Sequence, residues 1–290
     1  MPPIAPTVVQ LLLQTEAWLR GKGVETPRLE AELLLAHLLK STRLGLYLLH
    51  DRPLAPAEIE ALRAMVVRRG KREPLAWILG VVGFHALDLA IRPGVLVPRP
   101  DSETLVDAAL AWIPDEPALV ADIGCGSGAV GLALAQARPQ LKIYAVDLAE
   151  AALETTRANA AALGLEARVA VLRGDLLTAI PTPRRIDWVV SNPPYIPSAE
   201  IDTLMPEVSR WEPRLALDGG PDGLDVYRKL IPAARRRNAT GILLEVGAGQ
   251  AGRVADLLRR AGWTGIDTWN DLPGITRVVG GRSPKSGERA

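Results

Sequence analysis

The chain has 290 residues, is 48% hydrophobic and carries a net charge of +1. That length suits one large domain with a smaller companion, and the balanced charge argues against broad binding of nucleic acid through its phosphates. The single cysteine, Cys125, excludes an intramolecular disulfide framework and fits a reducing compartment. His37, His50 and His85 are scattered without metal-ligand spacing, so no metal site is expected. The first apolar stretch has no basic segment ahead of it and is interrupted by Gln14 and Glu16. Neither a signal peptide nor a membrane span is expected, and the cytoplasm is the expected location.

In chain order, residues 5 to about 80 read as helical. Val8, Leu11, Leu12, Trp18 and Leu19 recur at helical spacing, as do Leu29, Leu33, Leu34, Leu38 and Leu39, and then Ile59, Leu62, Val66 and Val67. Breaks fall at Gly21 to Gly23, Ser41-Thr42, Pro53 and Gly70. The spacing predicts a small helical bundle over residues 1–82, with the leucine stripes as its core. Its default role is docking of a partner or substrate. Over 83–100, Leu87, Leu89, Ile91, Val95 and Val97 alternate around Arg92-Pro93-Gly94, the pattern of a β-hairpin linker. Asp101 or Ser102 is then placed to cap the next helix, with Glu103 and Asp107 near its amino end.

A second domain is expected over 101–282, and from about 118 onward strand and helix patterns alternate. Expected strands are 118–123, 142–147, 168–173, 187–191, 241–246, 264–269 and 275–280; expected helices are 128–137, 149–163, 225–237 and 250–261. Such alternation implies a largely parallel α/β sheet. The last two strands have no helix between them and read as an antiparallel pair near one edge. The proline-rich connection 193–224 is too long for an ordinary loop and reads as functional. The polar tail, 283–290, is expected to be disordered.

Chemistry concentrates at two places. The first strand of the sheet runs into Asp122-Ile123-Gly124-Cys125-Gly126-Ser127-Gly128. Three glycines at alternate positions let a backbone turn sharply and approach a ligand closely. Asp122 suits an ammonium group. Asp147, ending the next strand, suits a ribose diol, and Asp175, ending the third, suits an adenine amino group. Together these fit S-adenosylmethionine. Gly126-Ser127-Gly128-Ala129-Val130-Gly131 also matches the dinucleotide fingerprint, but Asp122 would set negative charge near a pyrophosphate. Cys125 reads as a small loop residue rather than a nucleophile.

The second place is Asn192-Pro193-Pro194-Tyr195, which follows the buried-strand pattern Asp187 to Ser191. Two prolines stop the strand and fix the backbone, so the Asn side chain and a proline carbonyl can act as acceptors facing a pocket. Those groups suit an enzyme that holds a planar –NH2 while a methyl group reaches its nitrogen. A dinucleotide enzyme has no use for them.

With these motifs the sequence resembles class I S-adenosylmethionine-dependent methyltransferases, and more closely the HemK/PrmC family of protein-(glutamine-N5) methyltransferases. The resemblance covers nearly the whole chain. It also rests on Glu73 to Gly80, Val95 to Glu103, Trp211 to Gly220 and Leu243 to Gly247. Family members often have Tyr where Trp77 and Trp211 stand, and an aromatic where Leu176 follows Asp175.

The resemblance implies a seven-stranded Rossmann-like methyltransferase sheet with an N-terminal helical bundle. It implies cofactor binding by Asp122, Gly124, Cys125, Gly126, Ser127, Gly128, Asp147, Asp175, Leu176 and Asn192. Catalysis and substrate binding fall to Asn192, Pro193, Pro194 and Tyr195, with Tyr195 packing on the substrate amide. The implied substrate is the glutamine of the Gly-Gly-Gln loop of class 1 peptide chain release factors, acted on by a monomer with no membrane and no direct nucleic-acid contact. Rival readings are glutamine methylation of a ribosomal protein, amino methylation of adenine or guanine in nucleic acid, and a non-catalytic S-adenosylmethionine-binding scaffold. Arg99 is read as a linker residue or part of the cofactor pocket. Glu212 and Arg214 are read as a surface ion pair or as an ordering device for the loop over the substrate.

Overall fold

The computed structural model describes residues 5–182 and 184–284. Contacts divide the chain into two compact units, Met1–Gly80 and Val81–Ala290. The expected tail is described only at Ser283 and Pro284, where the Ser283 N–H donates to the Thr240 carbonyl at 2.8 Å and continues the strand end; residues 285–290 lie outside the described residues.

The first unit contains α1 (Val8–Gly21), α2 (Pro27–Leu38), α3 (Arg43–Leu48), α4 (Pro56–Gly70) and α5 (Leu75–Leu79). Prolines open α2 and α4 at positions whose N–H would be unpaired anyway. Thr42 caps α3 by accepting the Gly45 N–H at 3.0 Å. Leu11, Leu12, Leu19, Leu34, Leu35 and Leu62 are buried together. Trp18, Leu29 and Val67 are exposed instead, because a helix buries only one face and these positions lie off it. Within the core, Glu32 accepts from Arg28, Arg43 and Tyr47 at 2.7–3.1 Å, which holds its carboxyl below the ordinary range despite burial.

The second unit opens with a hairpin, β1 (Val81–Phe84) and β2 (Leu87–Ala90). Its turn is at His85-Ala86, not at Arg92-Pro93-Gly94. His85 itself takes the left-handed conformation, φ 52°, and its N–H donates to the Glu103 carboxylate at 2.9 Å. Residues 91–99 form no strand; the Val97 N–H is spent on Glu212.

After α6 (Glu103–Trp112) comes the sheet: β3 (Ala118–Ile123), β4 (Leu141–Asp147), β5 (Val169–Arg173), β6 (Trp188–Ser191), β7 (Gly241–Glu245), β8 (Thr264–Asn270) and β9 (Thr276–Arg282). Its helices are α7 (Ala129–Ala137), α8 (Glu150–Ala162), α9 (Pro206–Ser209), α10 (Asp225–Arg236) and α11 (Ala251–Arg260). Strand order is β5-β4-β3-β6-β7-β9-β8. The first five are parallel, and β9 runs antiparallel to β7 and β8. Val120, Ile143, Trp188, Val190 and Leu243 face the core shared with α6 and α7. Ala121, Tyr144, Val146, Val189, Ile242 and Leu244 face the one shared with α10 and α11. With both faces covered, β6 and β7 read as unbroken apolar runs.

The chain lays down β3, β4 and β5 outward and then returns to add β6 on the other side of β3. That reversal opens a crevice between the carboxyl ends of β3 and β6. Ile123 and Ser191 are paired there, and the Ser191 hydroxyl donates to the Ile123 carbonyl at 2.6 Å.

Candidate active site

The glycine loop leaves β3 at that crevice and is pinned from below. The Gly124 and Cys125 N–H groups donate to the Val146 carbonyl at 2.8 and 3.0 Å. The Gly126 N–H donates to Asp147 Oδ2, and Asp147 Oδ1 accepts the Ala149 N–H, both at 2.9 Å. Two glycines have distinct duties. Gly128, at φ 84°, is walled in: a Cβ there would sit 2.8 Å from Leu132 and 2.9 Å from Thr156. Gly126, at φ 57°, has open space where a Cβ would be, which leaves room for a ligand to approach the backbone.

Asp122 behaves differently from the sequence expectation. It is 2% exposed, and its Oδ2 accepts the Gly131 N–H at 2.9 Å, toward α7. Burial, aided by the charge of Asp147 and opposed by that N–H, pushes its pKa up to about 7. Asp122 does not reach the wall of the cavity above the loop. Cys125, Ser127 and Gly128 are buried and off the wall as well. Burial raises the Cys125 thiol well above its ordinary range, so it is a neutral loop residue.

That cavity, about 270 Å³, is lined by Gly124, Gly126, Asp147, Asp175, Leu176, Asn192, Pro193 and Pro194, together with parts of segments 94–96 and 213–218. Asp175 is exposed, and Leu176 next to it holds the left-handed conformation at φ 51°. The structure thus brings the glycine loop, two of the three strand-end carboxylates and the Asn-Pro-Pro segment around one space.

Asn192 is anchored from behind. Its Nδ2 donates to the Ser102 hydroxyl at 3.0 Å. Among the described residues no group donates to Asn192 Oδ1 or to the Pro193 carbonyl. Ser102 is therefore not the side-chain cap of α6 that its position implied; its hydroxyl is taken up by Asn192, and Asp101 pairs with Arg277 at 2.7 Å. Tyr195 lies off the wall: it is half-buried, and its hydroxyl donates to Glu245 Oε1 at 3.4 Å.

The long connection folds over the motif. Ile196 and Asp218 form a parallel bridge, and Gln250 donates to the Tyr195 carbonyl at 2.8 Å. A Cβ on Gly219 would sit 2.8 Å from the Pro194 carbonyl, so only glycine lets the strap lie this close. Glu212 does not pair with Arg214. Its carboxylate is buried, accepts the Val97 N–H at 3.1 Å and pairs with Arg99 at 2.5 Å. Burial raises its pKa, with Arg99 opposing. Arg214 instead meets Asp218 and Asp202. Arg99 and Glu212 thus join the 95–99 segment to the strap, and both segments contribute to the cavity wall.

Sequence reasoning missed Asn159. It is buried in α8, donates to the Ser127 and Ala90 carbonyls at 2.9 and 3.0 Å, and accepts the Ala90 N–H at 2.8 Å. A polar amide on the apolar side of a helix was the available signal.

Two family models match the chain: the PrmC N-terminal domain over residues 10–80 and the methyltransferase small domain over 103–207. The chain is 45% identical to the release factor glutamine methyltransferase of Geobacter sulfurreducens, over 95% of this chain and 96% of that one. It is 44% identical to the enzyme of the same name from Rhodospirillum rubrum, over 97% and 86%. The chain belongs to the release factor glutamine methyltransferase family. As a member it is an enzyme, with a helical N-terminal unit and a seven-stranded Rossmann-like methyltransferase sheet. The fold is shared more widely: the hMettl16 catalytic domain in complex with MAT2A 3′UTR hairpin 1 superposes with a TM-score of 0.56 at 13% identity, over 80% of this chain and 82% of that one. For a release factor glutamine methyltransferase, the informative part of the geometry is the pair of unspent acceptors at Asn192 and Pro193.

Proposed function

We propose that this protein transfers a methyl group from S-adenosylmethionine to the side-chain amide nitrogen of the glutamine in the Gly-Gly-Gln loop of class 1 peptide chain release factors. The observation that supports this reading is that Asn192 and Pro193 line a cavity together with Gly126, Asp147 and Asp175, while Asn192 Oδ1 and the Pro193 carbonyl have no donors among the described residues.

The residues present fit the cofactor. Gly126 leaves its backbone open to a ligand, Asp147 suits the ribose diol, and exposed Asp175 suits an adenine amino group. When bound, S-adenosylmethionine supplies an electrophilic methyl group on a sulfonium.

A carboxamide nitrogen is a poor nucleophile because its lone pair is delocalised. Asn192 Oδ1 and the Pro193 carbonyl accept the two N–H groups of the substrate amide, which orients the nitrogen and stabilises positive charge developing on it. The two prolines fix both acceptors before substrate arrives. Asp218, also on the wall, is held below the ordinary carboxylate range by the Ser198 hydroxyl and the Gly220 N–H. It is therefore a weak base, and the proton leaves once methylation has made the nitrogen acidic. The helical unit serves as the docking module: Leu44, Tyr47 and Leu48 of α3 are exposed at 55–84%, an apolar patch suited to a protein partner.

The test is a transfer assay with labelled S-adenosylmethionine and three parallel acceptors: a release factor, ribosomal proteins and duplex DNA. Label in the release factor alone is expected. Label confined to ribosomal protein or DNA would overturn the substrate assignment.

A further inference from the structure

A primary amide is nearly symmetric in shape, so Asn192 can fit its slot in two orientations related by a half-turn. Only one presents an acceptor to the substrate; the other presents N–H to N–H. The established motif does not say what selects between them. The groups behind Asn192 do.

Ser102 is 3% exposed and lies 3.0 Å from Asn192 Nδ2. Its hydroxyl favours the charged form of the Glu245 carboxylate, at the carboxyl end of β7, although no hydrogen bond joins the two among the described residues. Glu245 is 1% exposed. Its Oε1 accepts the Tyr195 hydroxyl at 3.4 Å, and its buried Oε2 has no hydrogen-bond partner among the described residues. The Tyr227 hydroxyl donates to the Glu245 main-chain carbonyl at 2.7 Å and holds the strand end in place. A carboxylate only accepts, so the single Ser102 proton is drawn to Glu245. Ser102 can then only accept from Asn192, which forces Nδ2 inward and Oδ1 outward. Turning the amide over would require the Ser102 proton for Oδ1 and would leave a buried carboxylate short of a donor, which is costly.

We propose that Ser102 and Glu245 are positioning residues that set the direction of a hydrogen-bond chain from Asn192 to Ser102 to Glu245, and so fix the Asn192 carboxamide with its oxygen toward the substrate nitrogen. This rests on the reading of Asn192 as an amide acceptor. The three residues come from the start of α6, the end of β6 and the end of β7, so only the fold assembles them.

The chain is also sensitive to protonation. Burial, with the nearby charge of Asp101, pushes the Glu245 pKa up to about 7, while Ser102, Tyr195 and Arg277 oppose it. Tyr227, Tyr195, Asp101 and Arg277 are the titratable groups that interact with it. Protonated Glu245 can donate, so the fixed direction is lost below that pH and the turnover rate falls.

The experiment compares Ser102→Ala and Glu245→Gln with the unaltered enzyme, measuring kcat, KM for the release factor and S-adenosylhomocysteine affinity from pH 6 to 9. The expected result for Ser102→Ala is a loss of kcat of about 10- to 100-fold, with KM and S-adenosylhomocysteine affinity changed by less than about twofold. Glu245→Gln is expected to lower kcat and to abolish its rise through pH 7; a limb belonging to Asp122 would survive that change. Wild-type kcat in Ser102→Ala overturns the proposal. So does a loss shared equally by kcat, KM and cofactor affinity in both variants, which is what a merely structural role would give. Should Ser102→Ala not fold, the pH profile of Glu245→Gln decides alone. Asn192→Ala run alongside separates the two claims: if it keeps full activity the acceptor reading itself falls, and if it is inactive while Ser102→Ala is fully active only the positioning claim does.

Discussion

The two halves of the cavity use polar groups in opposite ways. On the glycine-loop side, hydrogen-bonding capacity is largely spent inside the protein: Asp147 on Gly126 and Ala149, Asp122 on Gly131, Asn159 on the loop and the hairpin. On the Asn192 side, the protein spends only the Asn192 donor and leaves the acceptors unpaired. The first half is built to keep a shape for a ligand that must fit. The second is built to meet a group that brings its own donors. Substitutions on the loop side should therefore register in stability and cofactor affinity, and substitutions at Asn192 in rate.

The sharpest version of that contrast is Asn192→Ala. Transfer is expected to fall about 100-fold or more, with S-adenosylhomocysteine binding by calorimetry nearly unchanged. Equal losses in both would erase the distinction between the halves. Gly128→Ala belongs to the opposite class. It sets a Cβ against Leu132 and Thr156 at a left-handed φ, so it should cost roughly 2 kcal/mol of stability, read as a shift in the denaturant midpoint. A wild-type midpoint would mean that the loop is looser than its contacts imply.

Asp147→Asn replaces one of two acceptors with a donor aimed at an N–H. We expect about a tenfold loss of cofactor affinity with little change in the rate at saturating cofactor. The smallest effect is at Asp122. Its folded pKa, about 7, lies above the ordinary value of 3.8, so its ionisation opposes folding. Stability from the neutral form is present below about pH 4 and is lost as pH rises to 7. Asp122→Asn removes that loss but buries an amide donor in its place. The melting temperature at pH 8 should rise by roughly 2–4 °C, about 1 kcal/mol, and the gain should shrink toward pH 4. A gain that is constant with pH would point to packing rather than charge.

The sheet was legible because the strands are short, the five parallel ones are mostly apolar, and glycine turns or helix patterns separate them; the seven strands lie within a residue or two of where the pattern put them. The hairpin turn was not, because its left-handed position is His85 rather than a glycine, and a tertiary contact from Glu103 holds it. The alternation from Leu87 to Val97 joined half a hairpin to a segment whose Val97 N–H serves Glu212. Asp122 and Tyr195 showed a related limit. The residue types at those positions could be read, but not the partners of their side chains, which are the Gly131 N–H for Asp122 and Glu245 for Tyr195. Glu245 carried a signal in being a lone acid at the end of an apolar strand. Its link to Ser102 and Asn192 spans segments 53 to 143 residues apart, which no local pattern encodes.

The central claim is that the site recognises a carboxamide through its two N–H groups. It is tested most directly by offering two release factors side by side, one natural and one whose Gly-Gly-Gln glutamine is replaced by glutamate, and locating any methyl group by mass spectrometry. The account predicts one methyl on the glutamine nitrogen of the first and none on the second. Equal methylation of the glutamate form, or a methyl elsewhere on both, would contradict it.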